Sequence, residues 1–231
     1  MALSTIGFDA DDTLWHNERF FHLTQARFEA LLSAHAEPAH LHERLLQAER
    51  RNVGAYGFGV KGFTLSMIET AIEVSSGRVP ATVIGEILAA GREMLAHPIE
   101  LMPKARAAVE ALSGRFRLVL VTKGDLLDQE RKLAQSGLGD LFDAVEIVSD
   151  KTAETYTRVF ARHGTGAEEA MMIGNSLKSD ILPMLAAGGW AVHVPHELTW
   201  ALEHAPRPEG HPRFAELMDL GGLESVITRI G

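Results

Sequence analysis

The sequence predicts an α/β fold: a doubly wound parallel sheet interrupted by one helical insertion. Three observations carry this. Five short apolar runs have strand length, most segments between them have helical periodicity, and residues 16–98 contain no convincing strand. The runs are LSTIGFDA (3–10), FRLVLVTKG (116–124), DAVEIVSD (143–150), AMMIGNS (170–176) and WAVHVP (190–195). They read as near-continuous apolar stretches rather than alternating ones, as strands covered on both faces do.

The connecting segments follow in order. PKARAAVEALSG (103–114) places Ala105, Ala108, Val109 and Leu112 on one helical face, and Gly114 ends it. LLDQERKLAQSGLG (126–139) and TAETYTRVFARHG (152–164) have the same character. Four helices are expected in the insertion, over 18–35, 39–53, 62–77 and 80–96, punctuated by Pro38, the Gly-rich GAYGFGVKG (54–62) and Pro80. Apolar residues such as Phe28, Leu31 and Leu32, or Ile68, Ala71 and Ile72, recur there at helical spacing. EHAPRPEGHPRF (203–214) predicts an irregular loop before a last short strand and helix.

Composition narrows the function. The chain has 231 residues and a net charge of −9, an excess that argues against nucleic acid or an anionic membrane as main partner. It has no cysteine, which removes disulfides, thiolate zinc sites and a Cys nucleophile. MALSTIGFDA has neither a charged n-region nor a long apolar stretch, and no run approaches the ~20 residues that span a bilayer, so a cytoplasmic location is expected.

In open α/β sheets, ligands bind beyond the carboxyl ends of the strands. The residues just past each strand are therefore the candidate site. The first run ends in Asp9, Asp11, Asp12 and Thr13, and the second in Thr122, Lys123 and Asp125. The third ends in Ser149, Asp150 and Lys151, and the fourth in Asn175 and Ser176, with Asp180 close behind. Clustered carboxylates suit a hard cation such as Mg2+, which also attracts phosphate oxygens. Lys and Thr supply donors to those oxygens. An Asp carboxylate can attack phosphorus, and a second carboxyl two residues on can move protons.

The ordered set DADDT, VTKG, Lys151 and GNSLKSD resembles the haloacid dehalogenase (HAD) superfamily in its phosphatase branch. The resemblance covers about residues 1–15 and 100–195. It implies a Rossmann-like parallel-sheet core (1–15 and 99–231) with an inserted all-helical cap domain of C1 type (16–98). It also implies a Mg2+-dependent hydrolase that cleaves a small phosphate monoester through an aspartyl phosphate. Asp9 matches the nucleophile and a metal ligand. Asp11 matches the general acid/base, with its carbonyl on the metal. Thr122 matches the phosphate-binding hydroxyl, and Lys151 the cation that holds phosphate and orients the nucleophile. Asp180 matches the acidic metal residue. Two positions depart from the pattern. Asn175 stands where many members carry an acid, which puts it behind the metal ligands, and Lys123 stands where Asn is common, either as an added phosphate-binding charge or pointing away.

Other readings weigh less. A 2-haloacid dehalogenase displaces halide with the same Asp and needs neither a metal nor Asp11 and Asp180. A phosphomutase would use the same core residues. A phospho-receiver or silent binding protein fits poorly with a helical insertion. The stretch HVPH (193–196) and His204 show no recognised zinc spacing, and His16, after the first motif, is either a cleft residue or, as the favoured reading, a partly exposed loop histidine. Asp12, Asp125 and Asp150 read as caps or turn residues. Arg50, Arg51 and Lys61, in the stretch 50–63, are candidates for contact with an anionic substrate.

Overall fold

The computed structural model describes residues 3–230. Six strands form one sheet in the order β3-β2-β1-β4-β5-β6, and every pairing is parallel. The strands are β1 (Thr5–Phe8), β2 (Arg117–Lys123), β3 (Ala144–Val148), β4 (Ala170–Gly174), β5 (Trp190–His193) and β6 (Phe214–Glu216). The sixth is the short strand expected after the proline-rich loop.

Alternate residues of the central strands feed two separate cores, which is why the runs are apolar throughout. Ile6, Phe8, Leu118, Leu120, Met171 and Ile173 pack on one face with Val109 and Leu112 of α5 (Ala105–Leu112) and Val226 of α9 (Leu223–Ile230). Val119, Val121 and Met172 pack on the other with Tyr156, Val159 and Phe160 of α7 (Ala153–His163) and Met184 of α8 (Leu182–Ala186). The remaining crossover helix, α6 (Leu126–Ser136), follows β2.

The chain divides into two compact units. One comprises Met1–Glu18, Ile99–Lys123 and Gln129–Gly231, and holds the sheet. The other comprises Arg19–Pro98 with Gly124–Asp128. The insertion folds as four helices, α1 (Glu18–Leu31), α2 (Pro38–Tyr56), α3 (Val60–Val74) and α4 (Ala81–Ala96). Phe28, Leu41, Leu45, Met67, Ala71 and Ile87 form its own core. Pro38 opens α2 and Pro80 precedes α4, where a missing N–H costs nothing. The Gly-rich joint is shorter than expected: α2 runs to Tyr56 and α3 begins at Val60.

Among the described residues, no helix is long and apolar enough to cross a membrane.

Candidate active site

Strand order sets the location. β1 lies between β2 and β4, so the chain winds outward from it in both directions and leaves a crevice beyond its carboxyl end. Asp9 is the first residue past β1. Its N–H donates to the carbonyl of Ile173 on β4 (2.8 Å), which carries the parallel pairing one residue into the site.

Three buried charges meet there. Lys151 Nζ donates to Asp9 Oδ1 and to Asp180 Oδ1, the latter at 2.7 Å. The lysine side chain is 2% exposed and Asp180 1%, so two carboxylates share one ammonium out of water. Burial, with Asp180 adding to it, raises the Asp9 carboxyl to about 7 against the opposing pull of Lys151. The desolvation of Lys151 is outweighed by Asp180 and Asp9, which hold it firmly protonated. The buried Tyr156 hydroxyl donates to the carbonyl of Ser179 (2.9 Å), and burial and Asp180 keep it neutral.

Asp180 reaches Lys151 because the chain after β4 is not a regular α-helix. Leu177–Ile181 forms a π-turn, in which the N–H groups of Asp180 (2.9 Å) and Ile181 (3.2 Å) both donate to the Ser176 carbonyl. Asp180 Oδ2 accepts from the Ser176 N–H (2.9 Å) and lies against Gly174. A Cβ on Gly174 would stand 2.2 Å from that oxygen, so only glycine admits the contact.

Asn175 lies beside Thr13 and Asp9. Thr13 Oγ1 donates to Asp9 Oδ2 (3.0 Å) and accepts from the Asn175 N–H (3.1 Å). Turned with its nitrogen inward, the Asn175 amide donates to Asp9 Oδ2 (3.3 Å) and to the Asp11 carbonyl (3.2 Å). Turned the other way, it brings a third oxygen to the same point. Oxygens at neighbouring corners of an octahedron with bonds of ~2.1 Å are about 3 Å apart, so this trio fits Mg2+. Among the described residues, no three His, Cys, Asp or Glu side chains gather as a metal site; the trio is one carboxylate, one carbonyl and one amide.

A comparison with family models matches residues 3–188 to the haloacid dehalogenase-like hydrolases. The chain belongs to this family. Its fold agrees with a haloacid dehalogenase-like hydrolase from Xanthomonas campestris at 42% identity and a TM-score of 0.89, over 99% of this chain and 92% of that one. A HAD-hydrolase from Bacillus subtilis bound to magnesium shares the fold at 20% identity and TM-score 0.67, over 98% and 99% of the two chains. A 2-haloacid dehalogenase from Pseudomonas syringae does so at 18% and 0.62, over 99% and 100%. A comparison with curated proteins finds no match.

In this HAD-like hydrolase the Asp11 side chain has, besides Trp15, two partners on α6 that nothing in its own segment announces. Oδ1 accepts from Trp15 Nε1 (2.8 Å) and Lys132 Nζ (2.8 Å), and Oδ2 from Gln129 Nε2 (2.8 Å) and Lys132 Nζ (3.0 Å). Gln129 and Lys132 sit at i and i+3 on α6 and are buried, on a face expected to be apolar. Two buried polar residues at helical spacing are the signal that would have found them. Gln129 Oε1 is buried without a partner among the described residues.

Thr122 is buried at the end of β2, in register with Ile147 of β3. Lys123, expected as a phosphate ligand, is held elsewhere in this structure. Its Nζ donates to Glu203 Oε1 (2.6 Å) and Ser179 Oγ (2.7 Å), because a largely buried ammonium takes a largely buried carboxylate in place of water. Asp180 spends its two oxygens on Lys151 and the Ser176 N–H.

The remaining candidates have structural tasks. Asp12 takes a left-handed conformation (φ 61°) and accepts from the N–H groups of Asn17 (2.9 Å) and Glu18 (3.0 Å) at the start of α1; burial raises it to about 6 against those bonds. Asp125 accepts from the Asp128 N–H (3.1 Å), and Asp150 from that of Lys151 (2.9 Å). His16 meets His196 edge-on at 6.0 Å. His193 bridges Glu216 and the Asn175 carbonyl (3.0 Å each), while His204 meets the Thr199 carbonyl (3.2 Å). Arg51 pairs with Glu73 (2.8 Å) and Lys61 with Asp125 (2.8 Å).

Proposed function

We propose that this protein is a Mg2+-dependent phosphohydrolase that cleaves a small-molecule phosphate monoester through an aspartyl phosphate on Asp9. One observation carries the reading. Asp9, the Asp11 carbonyl and the Asn175 amide converge on one point, while Lys151 holds the other Asp9 oxygen. A dehalogenase has use for the nucleophile and lysine, but none for the point where the three groups meet.

Mg2+, held by Asp9, the Asp11 carbonyl and Asn175, would neutralise phosphate oxygens during transfer. Asp180 supports this set from behind Lys151. Thr122 and Lys151 bind the phosphoryl group, and Lys151 also keeps Asp9 aligned. An Asp9 oxygen attacks phosphorus, the ester oxygen departs, and Asp11 gives it a proton. Water then attacks the phosphorus of the aspartyl phosphate, Asp11 takes the water's proton, and inorganic phosphate leaves with Asp9 restored. Asp11 enters the first step as the carboxylic acid, passes its proton to the leaving oxygen, and regains one from water in the second step.

The helical unit is the cap in this reading and sets substrate choice. The protein works in the cytoplasm without nucleic acid or membrane, on a small phosphorylated metabolite.

The test is a panel of metabolite phosphates with Mg2+ or EDTA, run on the wild type and Asp9→Asn. Phosphate release that needs both Mg2+ and Asp9 is expected. Turnover that survives EDTA, or full activity in Asp9→Asn, rejects the mechanism. Chloride release from 2-chloropropionate with phosphate esters left intact makes the protein a dehalogenase instead.

A further inference from the structure

The family match ends at residue 188, yet a residue beyond it reaches back into the site. Glu203 closes the 3-10 turn Ala201–Glu203, after β5. Its side chain is 13% exposed. Oε1 accepts from Lys123 Nζ (2.6 Å), and Oε2 accepts from the hydroxyls of Ser176 and Ser179 (2.5 Å each). Lys123 Nζ also donates to Ser179 Oγ (2.7 Å), and the Ser179 N–H donates to Ser176 Oγ (3.0 Å). On the neighbouring turn, Lys178 Nζ donates to the Leu202 carbonyl (2.7 Å).

Burial alone would raise the Glu203 carboxyl, but Lys123 and the two hydroxyls outweigh it and hold the group below its ordinary value. The four side chains therefore form a closed circuit in which each polar group has a partner. Such circuits rigidify what they join.

What this one joins is specific. Lys123 directly follows Thr122 at the end of β2. Ser176 directly follows Asn175 and is the cap that opens the π-turn carrying Asp180. No strand hydrogen bond links these segments, because β1 lies between β2 and β4. Glu203 spans the gap from outside the sheet.

We propose that Glu203 is a positioning residue. Its carboxylate fixes the Thr122 end of β2 against the Asn175–Asp180 turn, and so sets the separation between the groups assigned to phosphate and those assigned to the metal and Lys151. Lys123 is its anchor rather than a phosphate ligand. This inference rests on the phosphohydrolase reading for its catalytic consequence, while the mechanical tie stands on the geometry alone.

The test uses the full chain with Glu203→Gln, Lys123→Met, their double variant and the charge-preserving Glu203→Asp. Positioning predicts that Glu203→Gln and Lys123→Met each lower kcat about tenfold or more, with KM moving less than about threefold. The double variant should be no worse than either single one, because both break the same circuit. Glu203→Asp should recover part of the loss. Independently of turnover, amide hydrogen exchange in residues 175–181 should speed up about tenfold in Glu203→Gln, with the sheet core unchanged.

A lowered melting temperature with unaltered kcat in the folded enzyme would overturn the inference and leave Glu203 a plain structural tie. Unchanged exchange in 175–181 would overturn it as well. If the wild type shows no Asp9-dependent turnover of phosphate esters, the functional reading falls, and the exchange measurement alone decides for or against Glu203.

Discussion

Replacing Lys151 with methionine removes one ammonium from between two carboxylates and leaves the volume nearly intact. In the wild type that ammonium is bonded to Asp9 and Asp180, and no side chain of the three is more than 9% exposed. After the change Asp9 keeps the Thr13 hydroxyl and Asp180 keeps the Ser176 N–H, but among the described residues neither keeps a cationic partner within bonding distance. Breaking a buried pair by removing one partner costs about 3–5 kcal/mol, mostly through the charge left behind. At about 2–4 °C per kcal/mol for a chain of this size, the melting temperature should fall by about 6–20 °C in EDTA at neutral pH. A second substitution, Asp180→Asn, removes one of the stranded charges and should restore at least half of the loss. Thermal melting followed by circular dichroism measures both. A single variant that melts within about 2 °C of the wild type would refute the charge argument, and so would a double variant less stable than the single. Turnover of phosphate esters should drop about a thousandfold in either variant, since in the proposed mechanism the ammonium also binds the transferred group.

Other consequences can be measured with the same assays. Gly174→Ala places a methyl 2.2 Å from Asp180 Oδ2, so Asp180 must leave Lys151 or β4 must shift; a loss of about 2 kcal/mol or more in urea unfolding is expected, with activity falling alongside. Lys132→Met removes two of the four bonds on Asp11 and should lower kcat about tenfold or more while KM stays near its wild-type value, as read from initial rates. Glu203 has a folded-state pKa below its unfolded value, so its contribution to stability is complete above about pH 4.5 and is lost as pH falls through the folded value. Acid unfolding curves should therefore show a steeper loss below about pH 4.5 in the wild type than in Glu203→Gln.

The strands and most helices were legible because periodicity is local. The site edge was legible for a related reason. Once the strands are parallel, their carboxyl ends share one edge, and Asp9, Thr122, Lys151, Asn175 and Asp180 follow without knowledge of any contact. Pairing was not legible. The Glu203 partner of Lys123 lies 80 residues on, in a proline-rich stretch without periodicity, so nothing in the sequence signals the pair. The bond from Lys151 to Asp180 was not legible either, because nothing in NSLKSDIL distinguishes a π-turn from an α-turn. One extra residue in that turn decides which way the carboxylate faces.

The helix α6 shows the same limit from the other side. Its apolar positions fit a crossover helix, and nothing in its periodicity singles out the two polar residues on its inner face. Both close on Asp11, whose charge lies on another segment more than a hundred residues earlier. A buried polar residue is expensive unless something answers it, so its position in a helix is a statement about an unseen partner. In this chain the partners lead to the catalytic edge in both cases: Gln129 and Lys132 to Asp11, and Glu203 through Lys123 to the ends of β2 and β4. In the proposed mechanism the acids of the opening motif carry the chemistry, while residues with no motif of their own fix where those acids stand.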